Sequence, residues 1–121
     1  MAHMTEFVPR AFEVVLTEQS ADSLFQLMDI TGKSYAQICK AGVERAFQEQ
    51  APDMPIEIPD AWQSMEKSNR SRTVMRLTEE SHKNLDLAAT NSGVSQGVLA
   101  SFLTECEIYY SLSLLQGPQK P

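Results

Sequence analysis

The sequence predicts a mainly α-helical fold with one two-stranded antiparallel β-ribbon, built from two tandem copies of a strand–helix–helix unit. Three observations lead there. The segment Leu16-Thr17-Glu18-Gln19-Ser20 returns 61 residues later as Leu77-Thr78-Glu79-Glu80-Ser81. The same ungapped offset pairs Leu24 with Leu85, Gly32 with Gly93, Ser34 with Ser95 and Glu44 with Glu105. In each copy the apolar period changes from two residues to about 3.6, the change that separates a strand from a helix.

The first unit covers residues 5–50. Phe12, Val14 and Leu16 alternate with Ala11, Glu13 and Val15, which is strand periodicity. Thr17 stands where a helix N-cap belongs, and Glu18 puts an acid in the first turn. Ala21, Leu24, Phe25 and Met28 follow at helical spacing, and Gly32 stops that helix. Ser34 caps a second, longer helix whose apolar stripe is Tyr35, Ile38, Cys39, Gly42, Val43, Ala46 and Phe47.

Residues 51–69 hold Pro52, Pro55 and Pro59 and read as a linker, with a short helix opening at Pro59-Asp60 and Trp62 as a packing anchor. The second unit covers 70–116. Thr73, Met75 and Leu77 alternate with Arg72, Val74 and Arg76. Thr78 caps a helix carrying Leu85 and Ala88, with His82 expected on its exposed face. Gly93 ends it and Ser95 caps the last helix. The expected buried face of that helix is Val98, Leu99, Phe102, Leu103, Cys106, Tyr109 and Tyr110. The tail 117–121 is expected to fray.

A unit of about 40 residues buries too little surface to stand alone, and a single strand leaves its ladder groups unpaired. Pairing the two strands antiparallel over four interlocked helices remedies both, within one compact monomer. The linker can span about 60 Å if extended, ample for the return.

The formal net charge is −6, which counts against indiscriminate nucleic-acid binding. Lys67, Arg70, Arg72 and Arg76 nevertheless fall in one stretch free of acids, and a local basic surface is what a phosphate backbone meets. No uninterrupted apolar run approaches the roughly 20 residues of a membrane span. Met1-Ala2-His3-Met4 lacks a signal-peptide core and reads as a cloning remnant before a native start at Met4. Cys39 and Cys106 lie in apolar patterns, the usual place of buried free thiols in a reducing cytoplasm, and the methionines read as core filler. No nucleophile–histidine pair, metal-ligand spacing, glycine-rich phosphate loop or catalytic carboxylate pair is visible, so a non-enzyme without cofactor is expected.

An alternating strand ending in Leu-Thr-Glu, a helix closed by Gly-x-Ser and a longer apolar helix resemble the ribbon-helix-helix (Arc/MetJ/CopG-type) superfamily. The doubled single-chain form resembles the TraY-type accessory proteins of conjugative plasmids. The resemblance implies a bacterial cytoplasmic protein that binds double-stranded DNA, as a transcriptional repressor or as a relaxosome accessory factor with a relaxase as partner. It implies that a β-ribbon enters the major groove, which carries the full base code. The base-reading positions would then be Ala11, Glu13 and Val15 in the first unit and Arg72, Val74 and Arg76 in the second. Phosphates would be held by Lys33, Ser34, Ser95, Arg70 and Lys67, through side chains and helix N-termini. Arginine suits guanine, whereas Glu13 accepts only from cytosine and repels phosphate. The alternative is an antitoxin-like or anti-repressor interaction module with weakened DNA binding. The charge gathered around the ribbon discriminates between the two.

Overall fold

The computed structural model describes residues 10–116; Met1-Ala2-His3-Met4 and the tail 117–121 lie outside the described residues. Strand β1 (Phe12–Val14) leads into helices α1 (Glu18–Thr31) and α2 (Tyr35–Glu49). A connecting segment then holds the short helix α3 (Asp60–Gln63) and a 3₁₀ turn (Asn69–Ser71). Strand β2 (Thr73–Met75) is followed by α4 (Glu79–Ser92) and α5 (Gln96–Gln116). The protein is thus mainly helical with one small antiparallel sheet, in which Phe12 faces Met75, Glu13 faces Val74 and Val14 faces Thr73.

The helix boundaries follow from local chemistry. Gly32 and Gly93 adopt φ of 73° and 72°, the left-handed conformation that glycine enters without a Cβ clash. Gly32 N–H then returns to the Met28 carbonyl at 2.8 Å and closes α1. Ser34 caps α2 reciprocally. Its Oγ accepts from Gln37 N–H at 3.1 Å, and Gln37 Oε1 accepts from Ser34 N–H at 2.8 Å.

Strand alternation decides what the sheet buries. Phe12, Val14, Leu16, Met75 and Leu77 face the helices and are buried. Beneath them Leu24, Leu27, Ile38, Val43, Leu85, Leu99 and Ile108 are at most 2% exposed and join a single core drawn from both halves of the chain. Helix α5 is the hub, packing chiefly on α2 and also on α1, α4 and β1. The α2–α5 crossing is close at Gly42: a Cβ there would stand 2.7 Å from the Leu103 carbonyl oxygen and 3.1 Å from Glu107 Cβ. By length and a mean hydropathy of 1.2, α5 is apolar enough to cross a membrane. It instead lays Leu99, Ala100, Leu103, Thr104 and Ile108 into the protein core.

Several expectations are corrected. His82 is not exposed; it lies 5% exposed on the inner side of the first turn of α4, beside buried Ser81. Cys39 is a buried thiol as expected, but Cys106 is exposed. Tyr109 and Tyr110 are also exposed, at the surface beside Ser20 and Arg45 rather than in the core. Phe25 is 39% exposed, and Met54 and Met65 lie on the surface rather than in the core. The connecting segment is more than a tether. Its Ile58 and Trp62 are buried, Trp62 meets Phe102 edge-on at 5.3 Å between ring centres, and Ser68 N–H donates to the Leu16 carbonyl at 2.7 Å. The apolar side chains of Ile58 and Trp62, on either side of Pro59, drive that packing.

Candidate nucleic-acid interface

The outer face of the ribbon is set by the same alternation that fills the core. Ala11, Glu13, Arg72, Val74 and Arg76 are exposed, Val74 by 66%, a large value for an aliphatic side chain. Val15 is partly buried, and its N–H donates to Ser101 Oγ at 3.0 Å, which fastens the end of β1 to α5. Gly97 makes this seating possible, since a Cβ there would collide with the Glu13 carbonyl oxygen.

The cations of the 67–76 stretch do not share one fate. Arg72 reaches diagonally across the ribbon and ion-pairs with Glu13, while its Nε donates to Asn69 Oδ1 at 3.2 Å. Arg70 turns away from the ribbon toward α1. It ion-pairs with Glu18 and with Asp22, the latter at 2.8 Å, with its guanidinium 5.7 Å from the Phe25 ring centre. Lys67 is spent on structure: its Nζ donates to the Trp62 and Met65 carbonyls at 2.8 and 2.9 Å and lies 4.1 Å from the Trp62 ring centre. Burial lowers the Lys67 pKa, against the pull of the Glu105 charge. Arg76 alone of the four is exposed with no ion-pair partner among the described residues. Arg10, just before β1, is likewise exposed without one, and its place outside the alternating pattern is why sequence reasoning passed over it.

The helix N-termini keep their capping roles. Ser34 is exposed beside exposed Lys33, and Ser95 accepts from Val98 N–H at 3.1 Å ahead of α5. Both present the positive end of a helix dipole to solvent.

The N-terminus of α1 differs, and here two buried acids went unread. Glu105, 6% exposed, accepts from Thr17 N–H at 2.9 Å and from Ser20 Oγ at 2.5 Å, while the Tyr109 hydroxyl lies 2.9 Å from Ser20 Oγ. Glu107, 5% exposed, takes Arg45 on both oxygens at 2.7 and 3.3 Å, with the guanidinium 4.1 Å from the Tyr110 ring centre. Both carboxylates bind helix to helix. Among the described residues no group of three or more potential metal ligands occurs.

Comparison of the chain with protein-family models, characterised proteins and solved structures gives no match.

Proposed function

We propose that the protein is a tandem ribbon-helix-helix pseudo-dimer that binds specific double-stranded DNA by laying its ribbon in the major groove. The observation that carries this is the ribbon's outer face, where Arg72, Val74 and Arg76 stand exposed above a row of buried strand residues. A two-stranded ribbon fits the width of the groove, and arginine forks match guanine O6 and N7.

The pseudo-dimer has its own support. Glu13 and Val74, paired at the centre of the ribbon, stand 61 positions apart, which is the offset of the sequence repeat. Gly42 and Leu103, at the α2–α5 crossing, stand 61 apart as well. Equivalent positions that touch each other behave like residues on a two-fold axis. The chemistry on either side of that axis differs, so the target is an asymmetric site. The shortage of free cations means few neutralised phosphates and a shallow salt dependence. Neighbouring molecules on direct repeats, or a protein partner such as a relaxase, supply the remaining affinity. The biological role is that of a bacterial cytoplasmic repressor or plasmid-transfer accessory factor.

The test is selection of bound fragments from random duplex DNA with the full chain. A recurrent short site is expected. Arg76→Ala should weaken binding to it by about 1–3 kcal/mol, roughly 5- to 150-fold. Failure to enrich any sequence would refute the proposal. A second reading, a protein-interaction module, is favoured by one observation: Arg70 and Arg72 are already neutralised by Glu18, Asp22 and Glu13. It gains if the chain captures no DNA.

A further inference from the structure

The Glu13–Arg72 ion pair sits on the outer face of the ribbon, both partners about half exposed at 52% and 44%. As a charge pair in water it adds little to stability. Its geometry leaves more than it uses. Arg72 spends one Nη1 hydrogen on Glu13 Oε1 and its Nε on Asn69. The second Nη1 hydrogen, both Nη2 hydrogens and Glu13 Oε2 have no partner among the described residues. Asn69 and Glu13 together brace the guanidinium from two sides. Its end therefore faces outward as a fixed fork, with a carboxylate oxygen beside it. Across this small surface the order is donor, donor, acceptor.

One base pair offers the complement of that order in the major groove. Guanine presents N7 and O6 as acceptors, and its cytosine presents N4 as a donor at the adjacent position. The sequence acceptor, acceptor, donor meets Arg72 Nη2, Arg72 Nη1 and Glu13 Oε2 in turn. An A·T pair presents acceptor, donor, acceptor and then the thymine methyl, which sets a donor against Arg72 and an acceptor against the carboxylate. We infer that Glu13 and Arg72 act as one cross-strand unit that reads a single oriented G·C base pair. Glu13 in this role is a specificity determinant and a positioning residue for Arg72, rather than a stray acid on a DNA-facing surface. Because the pair joins both strands of the ribbon, it lies close to the ribbon's centre. The repeat offset of 61 carries Glu13 to Val74 and Arg72 to Ala11, so the mirror position pairs Val74 with Ala11 and no second copy of the reader exists.

The inference rests on the DNA-binding reading, and one experiment separates the two. Full-length wild-type protein and the Glu13→Gln variant are each used to select sites from random duplex DNA. Binding is then measured on the best wild-type site and on versions with each base pair replaced. Glu13→Gln keeps the size of the side chain and changes an exposed position, so the fold is retained and circular dichroism checks it. Wild type is expected to show one G·C pair whose exchange for A·T weakens binding roughly 5- to 150-fold. In Glu13→Gln that discrimination should fall to within about threefold, with preferences elsewhere in the site unchanged. If Glu13 only repels phosphate, the variant will bind every sequence more tightly by the same factor and keep its discrimination, which overturns the inference while leaving DNA binding intact. If neither protein enriches any sequence, the DNA-binding reading falls and takes the inference with it.

Discussion

Replacing Gly42 by Ala tests the central packing of the molecule. Two effects oppose each other. Alanine in a helix interior is favoured over glycine by about 1 kcal/mol, because glycine loses more backbone freedom on folding. Against this, the new methyl would stand 2.7 Å from the Leu103 carbonyl oxygen, 3.2 Å from its carbon and 3.1 Å from Glu107 Cβ. Two of those three atoms are backbone of α5, which cannot swing aside as a side-chain tip does. The helices must separate by roughly half an ångström or more, loosening contacts along the whole α2–α5 seam. Overpacking of a close-packed interior costs typically about 1–3 kcal/mol, and a rigid obstacle belongs at the upper end. The net expectation is a loss of about 1–2 kcal/mol, seen in urea as a lower midpoint with an unchanged slope. In a thermal melt it corresponds to a fall of roughly 4–8 °C for a domain of this size. A Gly42→Ala variant as stable as wild type, or more so, would refute the close crossing of α2 and α5.

Three further outcomes follow from the same structure. Met75→Asp should unfold the protein, because it sets a carboxylate in a 5% exposed site, whereas Val74→Asp on the outer face should leave the near-ultraviolet circular dichroism intact; a folded Met75→Asp protein would reverse the assigned strand faces. Glu105→Ala strips Thr17 N–H and Ser20 Oγ of their buried acceptor and should cost about 2–4 kcal/mol in urea unfolding, with a negligible cost arguing against that link between α1 and α5. The neighbouring Ser68 hydroxyl, and then the hydrogen bond from Arg70, hold the Glu18 carboxyl below its ordinary value of 4.5. A depressed folded-state pKa stabilises above the unfolded value and is lost as pH falls through the folded one. Wild type should therefore lose melting temperature more steeply than Glu18→Gln between about pH 5 and pH 3, and parallel curves would contradict the assignment.

Much of the backbone was legible because it answers to short-range rules. Gly32 and Gly93 end helices where glycine alone is unstrained, and the alternation around Glu13 and Val74 sorts inner from outer strand residues. The central register was recoverable too, since Glu13 and Val74 lie at the middle of the two alternating segments and an antiparallel pairing brings those middles together. Long-range polar pairing was not. Glu105 and Glu107 look like ordinary solvated helix acids until Thr17, Ser20 and Arg45 are brought to them from other elements. Arg70 and Arg72 looked alike in the sequence. The 3₁₀ turn separates their fates, sending one to α1 and the other across the ribbon. Of the cations expected at the interface, Lys33, Arg72 and Arg76 remain on exposed surface, Arg70 is exposed but turned to α1, and Lys67 is drawn into packing by Trp62.

The joining of β1 to β2 within one chain has a consequence for how the molecule is made. Phe12, Val14 and Leu16 leave the ribosome ahead of their partners on β2 and α5, which come some 60 to 95 residues later. At ordinary synthesis rates that gap lasts roughly 3–20 s, during which an apolar strand edge has nothing to pair with. Such long-range closure is slow and exposes the nascent chain to aggregation. In return, the missing half arrives on the same thread, at an effective concentration of about a millimolar rather than at that of free copies in the cell. Two separate half-units would dissociate as their number fell. The meeting of β1 with β2 inside one chain does not depend on how many copies are present.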